Sequence, residues 1–175
     1  MRIETDRLII TEFTPDMAED VHLNSLDEDN RRFVPDEVFE TVDDARDTLA
    51  FLISQYGGTG GPLVYPVFTK SGGENIGYVQ MAPLGDGIWE IGYHIAKRHT
   101  GRGYATEAVR AFLPAAADMC GADEVQGVCL SENVASKHVL RRCGFVPVFE
   151  GTGEYQGEQR EVFRSVWKRS QPALP

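Results

Sequence analysis

The chain has 175 residues, of which 42% are hydrophobic, and this length is that of one domain with a substantial core. No apolar run approaches the ~20 residues of a membrane-spanning helix, so a protein built on such helices is excluded. The formal net charge is -10, and residues 1–60 supply all of it with fifteen acidic and five basic side chains, which argues against a nucleic-acid partner.

The first third of the chain predicts one strand and two helices. Residues 8–13 are predicted to form a strand, and a helix follows over residues 14–26 with Thr14 as its cap. The segment from Thr41 to Asp44 resembles a capping box and starts a second helix, which runs to about residue 56.

Three strands and a long helix are predicted in the middle of the chain. The strands cover residues 63–69, 76–82 and 88–95, and glycine turns between them predict an antiparallel meander. The helix covers residues 104–120, and Pro114 is expected to kink it. Its buried stripe is expected to consist of Ala105, Ala108, Val109, Phe112, Ala116 and Met119.

The last third predicts a helix over residues 133–143, a flexible loop over residues 151–157, and strands over residues 124–130, 145–149 and 161–167. The fold class is therefore α+β: a mixed, mostly antiparallel seven-stranded sheet flanked by about four helices, in a single domain over residues 1–175.

The N-terminal residues and the cysteines allow predictions of the cellular compartment and of metal binding. Residues 1–6 lack the apolar core of a signal peptide, which predicts a cytoplasmic protein. The odd number of cysteines, and their places in helix and strand patterns, predict reduced thiols. No Cys/His spacing suggests zinc, so no metal is expected. The sequence does not determine the oligomeric state, and a homodimer is one option.

A glycine-rich turn joins the third strand of the meander to the long helix. It has the pattern Arg-x-x-Gly-x-Gly-x-Ala over residues 98–105. Unpaired N–H groups at a helix N-terminus, and the missing Cβ atoms of Gly101 and Gly103, suit phosphate binding. Four basic residues gather here with no acidic residue before Glu107, namely Lys97, Arg98, His99 and Arg102.

This turn has two other interpretations. An ordinary glycine turn with solvated basic residues is an open alternative, because a short glycine motif is weak by itself. A dinucleotide-binding motif is set aside, because its three-glycine spacing does not fit and it follows the first strand of its fold.

The order of elements and four sequence segments resemble the GNAT superfamily of N-acetyltransferases, and specifically its branch of ribosomal-protein-alanine N-acetyltransferases. The segments are residues 5–8 (Thr-Asp-Arg-Leu), 90–93 (Glu-Ile-Gly-Tyr), 101–108 (Gly-Arg-Gly-Tyr-Ala-Thr-Glu-Ala), and 133–137 (Asn-Val-Ala-Ser-Lys) with the Cys-Gly-Phe of 143–145. The resemblance covers nearly the whole chain and implies the GNAT fold.

The resemblance also implies a co-substrate, acetyl-CoA, whose pyrophosphate the glycine turn would hold. The matching positions are Arg98, Gly101, Arg102, Gly103, Tyr104 and Ala105. The stretch Tyr93, His94, Ile95 and Ala96 would pair with the pantetheine arm like an added strand. Asn133 matches the position that meets the pantetheine chain, followed by Ser136 and Lys137 on the same helix. Asn133 also fits a plain helix cap.

Acetyl transfer to an amine needs a general base, and Glu90 is the predicted one. Strand alternation places Glu90, Gly92 and His94 on one face of the strand. The alternative is that Glu90 only binds a cationic substrate or pairs with a basic residue. His94 is a second candidate base, although a partly buried structural histidine is the stronger interpretation. The resemblance implies that Ser136, ranked slightly first, or Tyr155 would protonate the leaving thiolate. It also implies direct transfer in a ternary complex, which needs no nucleophilic cysteine.

The predicted acceptor is a primary amine, either a protein N-terminal α-amine or an amine-bearing small molecule. A protein terminus would need an open groove and a small amine a closed pocket. The resemblance implies that residues 25–40, with Phe33, Pro35 and Phe39, form a loop or short helix near the acceptor. The acidic first third, if it lines a cleft, would favour a cationic substrate, but a solvated helical face accounts for it equally well. A non-catalytic acyl-CoA sensor and the transfer of a longer acyl group are the alternative functions.

Overall fold

One mixed sheet of eight strands organises the computed structural model, which describes residues 1–58 and 60–169. The strands lie in the order β1-β2-β3-β4-β5-β6-β8-β7. Their bounds are Ile3–Glu4 (β1), Leu8–Ile10 (β2), Leu63–Thr69 (β3), Asn75–Gly85 (β4), Ile88–Ile95 (β5), Glu124–Leu130 (β6), Val146–Tyr155 (β7) and Glu158–Lys168 (β8). The helices are Ala18–Ser25 (α1), Glu28–Phe33 (α2), Val42–Gln55 (α3), Tyr104–Cys120 (α4) and Val134–Arg142 (α5), and short 3-10 turns cover Pro15–Met17, Pro35–Glu37 and Lys97–His99.

The strand pairings confirm the mixed, mostly antiparallel sheet. β3, β4 and β5 form the predicted antiparallel meander. β5 and β6 are the parallel pair, connected through α4. Their register comprises only Trp89 opposite Val125 and Glu90 opposite Gln126, after which the two strands part. This opening creates the cavity described below.

The sheet differs from the sequence-based prediction at both ends. It has eight strands instead of seven, because Ile3–Glu4 pairs with β2 over a length too short for a periodic pattern. The prediction of a flexible loop over residues 151–157 was wrong, because β7 continues to Tyr155 and the chain then turns at Gln156 and Gly157 into β8. Both turn residues have positive φ, 51° and 78°, as a tight hairpin of this kind requires.

Helices cover the two faces of the sheet. α4 and α5 pack on one face, where the main core includes Phe112, Tyr65 and Phe163. α1 and α3 pack on the other face through a smaller cluster that contains Leu49 and Val64. Adjacent residues of β3, Val64 and Tyr65, therefore enter different clusters, as strand alternation requires.

The long helix α4 has the predicted bounds, and its apolar stripe carries much of the main core. The buried side chains come in pairs four residues apart: Ala108 and Val109, Phe112 and Leu113, Ala116 and Ala117. This stripe continues at the half-buried Cys120, so Met119, predicted to be buried, is 42% exposed. The helix continues through Pro114, which faces solvent.

The capping box predicted for α3 is present. Asp44 N–H donates to Thr41 Oγ1 at 3.1 Å, and Thr41 N–H donates to Asp44 Oδ2 at 3.0 Å. This reciprocal pair satisfies backbone groups that the first turn leaves without partners. Within the described ranges, no helix is both long and apolar enough to cross a membrane.

Candidate active site

A cavity of about 870 Å³ occupies the opening between β5 and β6. Its walls come from both strands, from the segment containing α2, from the N-termini of α4 and α5, and from the end of β7. The volume falls within the range of small-molecule sites. The cavity lining brings together most of the predicted site residues, namely Glu90, Tyr93, His94, Ile95, Gly101, Gly103, Tyr104, Ala105, Asn133, Ser136 and Tyr155.

The glycine turn forms one end of this cavity. Gly101 and Gly103 have φ of 75° and 79°, a left-handed conformation that strongly favours glycine. A Cβ at Gly101 would meet no described atom within 4 Å, and a Cβ at Gly103 would come no closer than 3.6 Å, to Arg7 Nη2. α4 begins here without a side-chain cap, so its first backbone N–H groups are available to an anion.

Not all of the basic side chains around the turn line the cavity. Arg98 pairs with Glu74 at 3.0 Å and Lys97 with Asp29 at 2.6 Å, and neither lines the cavity. Arg102, Ala96 and Lys137 also lie outside the cavity lining, although all three were predicted to contact the coenzyme. The Ala96 N–H donates to Ile76 O at 2.9 Å. The Lys137 ammonium forms an ion pair with Glu150.

Arg7, which is distant in the sequence, contacts the glycine turn and stabilises it. Its Nη1 donates to Arg102 O at 2.9 Å, and its guanidinium lies over the Tyr104 ring at 4.6 Å. It also pairs with Glu107, which Thr5 contacts through a hydrogen bond of 2.6 Å. Residues 5–8 form one of the segments that carry the resemblance, but the sequence predicts no role for them. Their contacts hold the glycine turn against β2.

Glu90 lies where β5 and β6 part, and its side chain faces the cavity. Burial raises the pKa of Glu90 to about 7, against the opposing effect of the positive charge of Arg164. A carboxyl group with this pKa exchanges a proton near neutral pH, as a general base must.

His94 shares this face but is committed to another contact. Its Nε2 lies 3.2 Å from Asp27 Oδ2. Burial alone would raise the pKa of Asp27, but hydrogen bonds from His94 and from the backbone of Asn30 and Lys97 lower it to about 2. Asp27 is therefore a carboxylate near neutral pH, and it holds His94 in place.

A second buried carboxyl group, Glu37, was missed by sequence reasoning. It ends the 3-10 turn after α2, and its Oε1 accepts a hydrogen bond of 3.2 Å from Gln80 Nε2. Its Oε2 is buried without a hydrogen-bond partner in the described part of the chain. Burial raises the pKa of Glu37 to about 7, with the negative charges of Asp36 and Glu90 adding to the effect. The sequence places Glu37 in the acidic first third and within residues 25–40, which are expected near the acceptor, but neither signal singles out this residue.

Ser136 and Tyr155, the two predicted proton donors, have different surroundings. Asn133 caps α5, since its Oδ1 accepts from Ser136 N–H at 3.0 Å. The Ser136 hydroxyl lies 2.8 Å from the Tyr93 hydroxyl, across the opening between β5 and β6. Tyr155 ends β7 and donates its hydroxyl to Phe33 O at 2.8 Å. Burial raises the pKa of Tyr155, so its phenol is neutral at physiological pH.

In residues 1–58 and 60–169, no group of three or more His, Cys, Asp or Glu side chains is arranged to hold a metal ion.

Comparisons with known proteins agree on one family. The Acetyltransferase (GNAT) domain matches residues 7–146. An uncharacterized N-acetyltransferase of Bacillus subtilis strain 168, YnaD, is 28% identical over 145 residues, which are 82% of this chain and 82% of the relative.

Solved structures match over almost the whole chain. An acetyltransferase of the GNAT family from Bacillus anthracis has a TM-score of 0.81 at 22% identity, over 96% of this chain and 98% of that chain. RimL, a ribosomal L7/L12 alpha-N-protein acetyltransferase solved with coenzyme A, has a TM-score of 0.81 at 18% identity, over the same shares of the two chains. At these identities the structures establish the fold.

Proposed function

Because the chain belongs to the GNAT acetyltransferase family, we propose that it is an N-acetyltransferase that uses acetyl-CoA as donor and a primary amine as acceptor. The amine would attack directly within a ternary complex of enzyme and both substrates. The observation that carries this proposal is the placement of Glu90 at the point where β5 and β6 part, in the same cavity as the glycine turn.

The cavity suits coenzyme A in two ways. The first N–H groups of α4, preceded by Gly101 and Gly103, offer donors to a pyrophosphate with no side chain in the way. Within the part of the chain that the structure describes, β5 has no partner on its β6 side beyond Glu90, so the backbone from Tyr93 to Ile95 is available to pair with the amide groups of a pantetheine arm. A structure of the same fold, RimL, was solved with coenzyme A, which supports this assignment.

Acetyl-CoA supplies the acetyl thioester whose carbonyl carbon the amine nitrogen attacks. Glu90 accepts a proton from the acceptor ammonium, directly or through one water molecule, and so produces the neutral amine that reacts. Its pKa of about 7 makes roughly half of the enzyme competent near neutral pH. A backbone N–H near Ile95 donates to the thioester oxygen and polarises the carbonyl group.

The leaving thiolate needs a proton, and Ser136 is the favoured donor. The Ser136 hydroxyl is hydrogen-bonded to the Tyr93 hydroxyl, which orients it. The second proton that the acceptor nitrogen loses as the amide forms replaces the proton that Ser136 gives to the thiolate. Tyr155 already donates to Phe33 O and must break that bond before it donates elsewhere. These contacts support the order Ser136 before Tyr155.

The experiment that tests this function is calorimetry with CoA and acetyl-CoA, followed by a thiol-release assay over a panel of amines. The panel contains small amines, amino-sugars and peptides with N-terminal Ala or Ser. Micromolar binding with turnover of one amine class is the expected result. Binding without turnover on any amine would favour a non-catalytic acyl-CoA sensor, and no binding would refute the coenzyme site.

A further inference from the structure

The segment of residues 27–37, here called the cover segment, lies across the cavity face of β5. At its start, Asp27 accepts from the backbone N–H of Lys97 at 3.0 Å and contacts His94. Asp29 pairs with the Lys97 ammonium at 2.6 Å. These contacts fix the start of the cover segment to the end of β5.

The far part of the cover segment is tied to the opposite wall. Arg32 pairs with Glu132, before α5, at 2.8 Å. The Tyr155 hydroxyl donates to Phe33 O at 2.8 Å, and Gln156 donates to Asp36. The cover segment therefore reaches from β5 to the β7–β8 hairpin and closes over this part of the cavity. A covered pocket suits a small molecule better than the terminus of a folded protein.

Glu37 and Glu90 both line the cavity beneath the cover segment. The charge of Glu90 contributes to the raised pKa of Glu37, after burial and the charge of Asp36. Gln80 of β4 lies opposite Gly92 of β5 in the strand register. The Gln80 side chain passes over Gly92 and donates a hydrogen bond to Glu37. A Cβ at Gly92 would lie 2.4 Å from Gln80 Nε2, so the missing side chain is what lets Gln80 orient the Glu37 carboxyl group.

The charges around this pair are unbalanced. Within the described ranges, the positive charge that acts on Glu90 is that of Arg164, whose Nη2 donates to Glu154 O at 3.3 Å. Glu37 is influenced by two further acids and by the neutral amide of Gln80. A buried carboxylate without a cation is costly, and a bound cation would lower that cost.

The two carboxyl groups cannot share one substrate charge throughout the reaction. Glu90 is assigned to take a proton from the reacting nitrogen, which is then neutral and no longer attracts a carboxylate. Glu37 Oε2 has no hydrogen-bond partner in the described ranges, so it is available to a positive group that persists during acetyl transfer. We propose that Glu37 is a second acceptor subsite, which binds a cationic group other than the amine that is acetylated, so that the acceptors are small diamines. This inference rests on the proposed function for the identity of the reacting amine.

The test compares two probes of equal chain length, 1,4-diaminobutane and butylamine. Their binding to the complex of the enzyme with CoA is measured by calorimetry, which requires no turnover. Charge-assisted hydrogen bonding predicts that the wild type binds the diamine roughly 10- to 100-fold more tightly. Glu37→Gln should reduce this ratio to about one and leave the affinity for butylamine unchanged.

The matched control is Glu28→Gln, which removes the same charge from an exposed position on α2 outside the cavity lining. It should retain the preference for the diamine. Gly92→Ala is the second variant, since a Cβ there displaces Gln80 and should weaken diamine binding with Glu37 still present. Equal binding of the two probes by the wild type, or a preference that survives in Glu37→Gln, would overturn the proposal.

Turnover separates this inference from the proposed function. If the wild type prefers the diamine in binding but acetylates no amine, the subsite stands and the catalytic function fails. If butylamine and a peptide with N-terminal Ala are acetylated as efficiently as the diamine, the function stands and the subsite fails.

Discussion

Replacement of Glu90 by glutamine tests the chemistry of the site most directly. The change keeps the shape of the side chain and removes its capacity to accept a proton. General-base catalysis contributes roughly 10²- to 10⁴-fold to rate, so kcat should fall by at least about 100-fold. The affinity for acetyl-CoA should change little, because the glycine turn that would bind the pyrophosphate lies on a different element.

The pH dependence gives a second, independent readout of Glu90. Burial raises the pKa of this carboxyl group to about 7, and the base is active only when it is deprotonated. With butylamine as the acceptor, which has no second cation for Glu37, kcat/KM of the wild type should therefore rise with pH through about 7. In Glu90→Gln this rise should disappear.

The assay is thiol release under saturating acetyl-CoA between pH 5.5 and 8.5, with the enzyme's fold checked by its melting temperature. Glu124→Gln, at an exposed position on the neighbouring strand β6, serves as the matched control and should behave like the wild type. Full activity in Glu90→Gln, or an unchanged rise of kcat/KM with pH, would show that Glu90 is not the base.

Three further predictions follow from the same geometry. Because burial raises the pKa of Glu37 from 4.5 to about 7, the unfolded chain ionises this group at lower pH than the folded protein does, and the folded protein loses stability as the pH rises from 4.5 to about 7. Denaturant unfolding should therefore find Glu37→Gln more stable than wild type at pH 8 by roughly 3 kcal/mol. Gly101→Ala should weaken CoA binding at least about tenfold, while Gly121→Ala, with similar positive φ at the far end of α4, should cost about 1 kcal/mol of stability and leave binding intact. Ser136→Ala should lower kcat by about tenfold or more, and Tyr155→Phe should lower it less.

Each of these has an outcome that contradicts it. If the difference in the free energy of unfolding between wild type and Glu37→Gln is the same at pH 5 and pH 8, the pKa of Glu37 is not raised in the folded protein. Equal loss of CoA affinity in Gly101→Ala and Gly121→Ala would indicate a general effect of strain rather than a phosphate site. A larger loss of kcat in Tyr155→Phe than in Ser136→Ala would reverse the assignment of the proton donor.

Patterns within short segments predicted the elements that position the site. The bounds of β5 and α4, and the glycine turn between them, agree with the structure because period and turn chemistry are local properties. The same reasoning was wrong for residues 151–157, where glycines suggested a loop. Those residues pair with β8 in a long hairpin, which stabilises them through contacts that no short window contains.

The sequence determined the family, the α+β fold and the position of the glycine turn, because these depend on spacing along the chain and on residue types with strong local preferences. Only the tertiary structure decided which charges face the cavity. Arg98 pairs with Glu74 at a separation of 24 residues, and Arg7 braces the turn at a separation of 95. Glu37 acquires its raised pKa only when the cover segment folds over β5, because burial and the charge of Glu90 arise from that contact. Desolvation and ion pairing depend on distance in space, and the sequence alone does not give that distance.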